Sequence, residues 1–306
     1  MTTCRSAPRV RVAVLTAATL AIAACAALGR PGSHGPGLSP LLPLPVRVAT
    51  ASRETTLDGG AIVVESVAPL HPPGARPAVI GPPALRDAVL GAGAVAVWYT
   101  IDWSRFGIAA DLQVAENAAA GQPPLQAESP SMLGETFFHR VAIAADAVLP
   151  RVLDWMETLP EVDLERIALV GMGPEGFVAL TATAHDHRVA AVASLFACGD
   201  FVRFVHESPC GAAGSPLELD PGYAAWLHSL SPLANPIRLL PAPILLATRQ
   251  DDSLVPASCV EATARQLRAL YEAAGIPERI EHVRLAAEDN GLEAAIAWLK
   301  RWILAG

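Results

Sequence analysis

A glycine-rich turn is the first place where this 306-residue chain could do chemistry. The stretch VGMGPEGF, residues 170–177, follows an apolar run and precedes the helix-like stretch VALTATA. Turns between a strand and a helix can present a nucleophile or bind a phosphate. This turn has no Ser, Cys, Thr or Asp. Its G-x-G-x-x-G spacing fits a dinucleotide site, but Pro174 lacks an N–H and Glu175 puts negative charge where a phosphate would lie.

The elements around this turn follow an alternating strand and helix pattern. A strand pair is predicted at 46–52 and 61–67, and further strands at 77–80, 94–101, 166–170, 189–196, 243–248 and 280–286. Helices are predicted between them, at 137–159, 174–185, 257–274 and 292–304. This order predicts a mostly parallel α/β sheet with helices on both faces. Sites in such sheets lie at the carboxyl ends of the strands, where the glycine-rich turn is placed.

Three stretches carry a resemblance to a known superfamily. Residues 153–196 (LDWMETLPEVDLERIALVGMGPEGFVALTATAHDHRVAAVASLF), 243–256 (PILLATRQDDSLVP) and 292–303 (LEAAIAWLKRWI) resemble the α/β-hydrolase superfamily. The similarity is greatest to its esterase, dienelactone-hydrolase and prolyl-oligopeptidase-like branches. The resemblance implies an α/β-hydrolase fold over residues 47–306, with a small cap or irregular insertion near 198–235.

Catalysis in that superfamily needs a nucleophile on a tight elbow, a histidine, an acid and backbone oxyanion donors. The resemblance aligns Gly171, Gly173, Glu175 and Gly176 with the elbow, and it puts Gly173 at the nucleophile position. Glycine has no side chain that could attack a substrate. Pro174 removes the N–H that normally follows the nucleophile and stabilises the oxyanion. Glu175 as a displaced nucleophile would require the bulky Phe177 where a small residue belongs.

The remaining catalytic parts are also altered. Asp252 matches the catalytic aspartate, although it could equally cap a turn, and Arg249 could pair with Asp251 or Asp252. The histidine should follow the last strand, but Asn290 is there and His282 lies early in that strand, on the order of 13 Å from its carboxyl end. The other oxyanion loop reads VIGPPAL, and its two prolines have no N–H to donate.

These losses lead to three functional hypotheses. The favoured one is a non-catalytic α/β-hydrolase homologue that binds a ligand or protein partner in the former active-site cleft. The alternative is an active hydrolase in which Glu175 or Asp252 activates a water, and the third is a scaffold without a small-molecule site. A deep pocket lined by four residues at the end of one strand would favour ligand binding: Trp98, Tyr99, Asp102 and Trp103. No cofactor or metal motif is predicted, and the scattered arginines predict no nucleic-acid surface.

The amino-terminal segment predicts export and a lipid anchor. Three arginines precede a charge-free apolar run, which is typical of a signal peptide over residues 1–24. Ile22, Ala23, Ala24 and Cys25 resemble the bacterial lipobox, so Cys25 is the predicted lipidation site. Residues 25–46 are rich in Gly and Pro and predict a tether between the anchor and the domain. The expected location is the extracytoplasmic face of a bacterial membrane, periplasmic or on the cell surface.

Cysteine content allows a disulfide in that compartment. Three cysteines follow the tether, and an oxidising environment permits their pairing. Cys198 and Cys210 are close in sequence within a loop region, so they are the predicted pair; three unpaired thiols are the alternative. The formal net charge is −8.

Overall fold

A computed structural model describes residues 49–71, 73–107, 130–208, 219–252 and 254–304, with the backbone alone for residues 130–135. The predicted signal peptide, the lipidation site Cys25 and the tether at 25–46 lie outside the described residues. Cys210 lies outside them as well. The predictions for the leader and the anchor therefore stay predictions.

The described residues form one eight-stranded sheet with the strand order β1-β2-β4-β3-β5-β6-β7-β8. The β1–β2 and β2–β4 pairs are antiparallel, and all the other neighbouring pairs are parallel. The predicted mostly parallel sheet is confirmed. Its strands are β1 Thr50–Leu57, β2 Ile62–Pro69, β3 Arg76–Ile80, β4 Val95–Ile101, β5 Val162–Met172, β6 Val189–Leu195, β7 Ile244–Arg249 and β8 Ile280–Leu285.

Residue type explains where each strand lies in the sheet. The central strands β3, β5, β6 and β7 are dominated by buried Val, Ile, Leu and Ala, as expected for strands covered on both faces. β1 alternates between half-buried and exposed residues and forms one edge. The described part of the first strand runs from Thr50, and it continues beyond the predicted residue 52 to Leu57 because the hairpin turn comes only at Asp58–Gly60.

The helices occupy the intervals that the sequence pattern predicts, with one correction. The predicted helix at 137–159 begins earlier, at Pro130, and a π-helical segment, Ala144–Val148, separates its two parts. A second π segment, Lys300–Leu304, continues the last helix. The helices are α1 Arg86–Gly91, α2 Pro130–Ile143, α3 Leu149–Met156, α4 Pro174–His185, α5 Phe201–Glu207, α6 Pro221–Leu230, α7 Ala257–Ala273 and α8 Leu292–Leu299.

Two buried clusters, one on each face of the sheet, hold the layers together. Residues of α2 to α7 pack on one face, and residues of α1 and α8 pack on the other. The segment between β6 and β7 carries α5 and α6, where the small cap or irregular insertion is predicted. Across the described parts of the chain, no helix is both long enough and apolar enough to span a membrane.

Candidate functional site

The turn between β5 and α4 keeps an elbow geometry. Gly173 has φ 59° and ψ −122°, a backbone conformation that residues with a side chain rarely adopt. Its N–H donates to the carbonyl of Leu195 on β6 at 2.8 Å, and its own carbonyl accepts from the N–H of Gly176 at 2.9 Å. These bonds attach the turn to the neighbouring strand and to the first turn of α4.

The flanking glycines permit close packing. A Cβ at position 171 would lie 2.0 Å from the backbone oxygen of Glu175, and a Cβ at 176 would lie 2.9 Å from the Cβ of Ala197. Real Cβ atoms do not approach other atoms so closely, so any side chain there would push α4 away from the sheet. Gly171 and Gly176 therefore let the helix lie against β5 and β6.

The residue at the nucleophile position, Gly173, has no side chain that could react. Apart from its two chain neighbours, no described residue has an atom within 4 Å of a Cβ built on Gly173. Pro174 occupies the first position of α4 and has no N–H. Glu175 follows it and is exposed. Burial raises the pKa of Tyr99 on β4, and the negative charge of Glu175 raises it further.

The second oxyanion loop offers no replacement donor near its start. The N–H of Gly81, the first residue after β3, donates to the carbonyl of Val97 at 3.0 Å and is therefore used within the sheet. Pro82 and Pro83 follow and have no N–H. This geometry agrees with the expectation from the sequence that the usual backbone donors are missing.

Asp252 lies after β7, where the resemblance places the catalytic acid. Its Oδ1 accepts from the N–H of Leu254 at 2.9 Å and of Val255 at 2.8 Å, while its Oδ2 faces Arg249 Nη2 at 3.4 Å. The side chain is only 8% exposed. Both oxygens are engaged by the protein, so this carboxylate closes a turn and pairs with a cation.

Arg249 extends from the end of β7 toward the loop in which a histidine is expected. Its guanidinium carbon lies 4.5 Å from the centroid of the Phe196 ring, a cation–π contact. Its Nη1 donates to the carbonyl of Ala287 at 3.2 Å. One side chain thus links Asp252 to the β8–α8 loop, which is the connection that a catalytic histidine would make in an active member of the superfamily.

Neither Asn290 nor His282 supplies a base at the elbow. Asn290 Oδ1 accepts from the N–H of Leu292 at 3.1 Å, so its side chain closes the turn before α8. His282 is in register with Leu246 in the middle of the β7–β8 ladder, away from the carboxyl end of the strand. It is half-buried, and this burial lowers its pKa.

The four residues proposed as pocket walls at the end of β4 do not converge. Trp98 packs against the cluster on one face of the sheet, while Tyr99 and Trp103 pack against the cluster on the other. Alternation along a strand is the reason, since neighbouring side chains point to opposite faces. Asp102 accepts from Ser104 and Arg105 and caps a short 3-10 turn. The deep pocket envisaged in the sequence analysis therefore does not form from these four residues.

An aromatic cluster beside the elbow was missed at the level of sequence. Phe137 and Phe138 on α2, Phe177 on α4, and Phe201 and Phe204 on α5 have ring centroids 4.7–6.1 Å apart. These distances suit edge-to-face and offset contacts. The only sequence signal is their occurrence as close pairs, such as 137 with 138 and 201 with 204. The cluster fixes the insertion to the helix that begins at the elbow.

A shallow open depression of about 530 Å³ lies between α5 and α6. Its walls include His206, His228 and Asp200, together with the ion pair between Arg203 and Glu207. In the described residues, no three side chains of the metal-ligating types are placed to hold a metal ion. The depression therefore supplies polar side chains at the cap without a metal centre.

The disulfide differs from the predicted one. Cys198 pairs with Cys259, not with Cys210, and the two Cα atoms are 5.8 Å apart. The bond joins the segment after β6 to the first turn of α7, 61 residues later. Proximity in sequence favoured Cys210, whereas the parallel packing of β6 and β7 brings the start of α7 to the end of β6.

No protein family profile matches the chain. A search of curated protein sequences found no match. Solved structures do match it. An esterase from an Arctic intertidal metagenomic library aligns with a TM-score of 0.53 at 12% identity, over 84% of this chain and 96% of the esterase.

Two further structures point to the same architecture. The 2,6-dihydroxy-pseudo-oxynicotine hydrolase aligns with a TM-score of 0.53 at 20% identity, over 84% of this chain and 69% of that hydrolase. The acylaminoacyl peptidase of Pyrococcus horikoshii aligns with a TM-score of 0.59 at 12% identity, over 85% of this chain and 43% of the peptidase. At these identities the similarity shows the fold alone, and this chain therefore has the α/β-hydrolase fold.

Proposed function

We propose that this chain is a non-catalytic member of the α/β-hydrolase fold that binds a ligand or a protein partner at the elbow. The observation that carries the proposal is Gly173, which stands at the nucleophile position of an elbow whose backbone geometry is intact. An enzyme of this type requires a nucleophilic side chain at that point. Here Gly173 presents backbone alone.

The surroundings of the elbow support the same conclusion. Removing one oxyanion donor costs an enzyme about 2.7–4 kcal/mol of transition-state stabilisation, and Pro174 and the Pro82–Pro83 pair remove donors from both usual sources. Arg249 rather than a histidine pairs with Asp252, and an arginine stays protonated at neutral pH. A substrate bound here would therefore meet neither a nucleophile nor a base.

The alternative is an active hydrolase in which a carboxylate activates a water. The structural neighbours support it, because they are named as an esterase, a hydrolase and a peptidase. Asp252 is a poor candidate, because two backbone N–H groups and Arg249 engage its oxygens. Glu175 is exposed and lies at the elbow, so it is the residue on which this alternative depends. The third hypothesis is a scaffold without a small-molecule site, and it predicts that no ligand binds at the elbow.

Two assays test the proposal together. A fluorophosphonate probe should leave the protein unlabelled, and short-chain p-nitrophenyl esters should be hydrolysed no faster than with the heat-denatured protein. An active serine esterase is the positive control for both. Gly173→Ser should also stay inactive, because the base is still missing. Turnover that disappears in Glu175→Ala and persists in Asp252→Ala would establish the alternative and refute the proposal.

We also propose that the domain is held at the extracytoplasmic face of a bacterial membrane through lipidated Cys25. Acyl chains anchor a protein because each buried CH₂ contributes about 0.8 kcal/mol. Cys25→Ser should move the protein from the membrane fraction to the soluble fraction, or leave it as an uncleaved precursor. Intact-mass analysis of the purified protein measures the added acyl groups. An unmodified Cys25 in membrane-bound protein would contradict lipidation.

A further inference from the structure

The depression between α5 and α6 brings charged groups of both signs into one space. Its walls include Asp200, Arg203 and His206 at α5, and Ala224 and His228 on α6. Residues three or four positions apart share one face of a helix, and the pairs 203 with 206 and 224 with 228 have this spacing. The volume of about 530 Å³ lies within the range of small-molecule sites.

Arg203 supplies N–H donors to this space. Its Nε lies 2.7 Å from Glu207 Oε1, an ion pair along α5. The other oxygen of Glu207 accepts from Ser258 Oγ at 2.6 Å, so this carboxylate is engaged on both sides. In the described parts of the chain, no acceptor lies within hydrogen-bond distance of Arg203 Nη1 or Nη2. This edge of the guanidinium therefore matches a carboxylate that accepts two parallel hydrogen bonds.

Asp200 supplies an acceptor to the same space. Its Oδ1 accepts from the N–H of Arg203 at 3.0 Å and caps α5, while no described residue donates to its Oδ2. The disulfide fixes this residue from behind, because the carbonyl oxygen of Asp200 lies 3.7 Å from the sulfur of Cys198 and 3.6 Å from that of Cys259. The start of α5 is therefore attached to the first turn of α7.

The charges of the depression favour a ligand that carries both signs. A purely anionic ligand would meet the carboxylate of Asp200, and a purely cationic ligand would meet the guanidinium of Arg203. A zwitterion places each of its charges beside the opposite charge of the protein. Val202 and Ala224, both half-buried, add apolar surface for the rest of the ligand.

We propose that this depression binds free α-amino acids, with the ligand carboxylate on Arg203 and the ligand ammonium on Asp200. The side chain of the amino acid lies against Val202 and Ala224, where it leaves water. None of the residues that line the depression belongs to the elbow turn. The inference therefore goes beyond the function proposed for the elbow and does not depend on it.

Four ligands with the same side chain separate the contributions of the two charges. L-leucine carries both charges, L-leucinamide only the ammonium, N-acetyl-L-leucine only the carboxylate, and N-acetyl-L-leucinamide neither. Each is titrated into the full protein at pH 7, and binding is followed by calorimetry and NMR. Each charge should increase the affinity about fivefold, which is the effect of one unit-charge pair 4 Å apart in water. L-leucine should therefore bind about 25-fold more tightly than the neutral ligand.

The histidines show where the ligand binds. The imidazole C–H signals of His206 and His228 should move during the L-leucine titration, because both residues line the depression. His206→Gln and His228→Gln assign these two signals. The signal of His185 should stay in place, since its ring is bonded to Asp146 in another part of the fold.

Two pairs of variants test the assigned contacts. Asp200→Asn should bring L-leucine and N-acetyl-L-leucine to equal affinity, and an asparagine still caps a helix. Asp220→Asn is the matched control, since Asp220 caps α6 in the same way and does not line the depression. Arg203→Gln should bring L-leucine and L-leucinamide to equal affinity. Arg284→Gln removes the partner of Glu261 elsewhere on the surface and should leave all four affinities unchanged.

Several results would overturn the amino-acid site. These are equal affinity for all four ligands, no binding of L-leucine at millimolar concentration, and L-leucine binding that leaves the signals of His206 and His228 in place. Equal effects of Asp200→Asn and Asp220→Asn would also overturn it. Fluorophosphonate labelling or ester turnover would refute the non-catalytic function of the elbow, and it would leave the amino-acid site unaffected.

Discussion

Reduction of the disulfide between Cys198 and Cys259 should destabilise the protein by about 4 kcal/mol. The bond closes a loop of 61 residues in the unfolded chain. In the chain-entropy account, a cross-link of that span removes about 14 cal/mol/K from the unfolded ensemble, which is about 4 kcal/mol at 25 °C. Reduction keeps both sulfur atoms in place, so the difference reports the cross-link and not a lost side-chain volume.

Urea unfolding of the oxidised and reduced protein measures this difference. Both sulfurs are fully buried, so the reduced sample is prepared by unfolding in urea with a reductant and then refolding. Cys210→Ser is the matched control and should show the same loss on reduction as the unaltered protein. Non-reducing peptide mapping should recover Cys198 linked to Cys259. A loss below 1 kcal/mol, or a peptide that links Cys198 to Cys210, would refute the reasoning.

Three further predictions concern the elbow, the acid loop and the last strand. In urea-unfolding experiments, Gly171→Ala should lower the free energy of unfolding by more than 3 kcal/mol or prevent folding, because its Cβ would lie 2.0 Å from a backbone oxygen. Gly275→Ala, at an open site, should lower it by no more than about 1–2 kcal/mol. Arg249→Gln should lower the free energy of unfolding by about 2 kcal/mol, because it leaves Asp252 without its cation. A double-mutant cycle with Asp252→Asn should show that the two effects are coupled, and additive effects would contradict the pairing. Burial lowers the pKa of His282, so protonation of this side chain favours the unfolded chain. The free energy of unfolding should therefore have its full value above pH about 6.5 and decrease at lower pH. His282→Gln should reduce this decrease between pH 5 and 7.

The three glycines of the elbow serve different physical requirements. Gly171 and Gly176 allow backbone and helix to approach closely, and substitution at either would separate α4 from the sheet. Gly173 adopts a conformation that costs a side-chain-bearing residue of order 1–3 kcal/mol. An active enzyme accepts that cost in order to present its nucleophile. Without a nucleophile, glycine keeps the same turn and avoids the strain.

Arg249 shows how the acid loop is held together without a histidine. A carboxylate as buried as that of Asp252 needs a partner, since an unpaired buried charge is strongly unfavourable. In an active triad the histidine fills that role. Here Arg249 comes from the same strand end, packs on Phe196 and reaches the carbonyl of Ala287. The loop geometry is therefore maintained by an ion pair.

Local pattern was enough to determine the fold class and the groups that the turn at Gly173 and Pro174 lacks. The alternation of apolar runs and helical spacing predicted the parallel sheet, and the bounds of α4, β6 and α7 agree with the structure within one residue. The absence of a side chain at Gly173 and of an N–H at Pro174 is a property of residue type alone. No tertiary contact can restore either group.

Tertiary structure alone decided which distant residues meet. The disulfide partner of Cys198, the position of Arg249 over Phe196 and the aromatic cluster around Phe177 all join segments that are far apart in the chain. The opposite orientations of Trp98 and Tyr99 depend on which strand positions face each layer. Periodicity reports the conformation of neighbouring residues, whereas pairing between remote ones depends on how parallel strands are ordered in the sheet. For that reason the turn at Gly173 was recognisable from the sequence, and the groups that surround it were not.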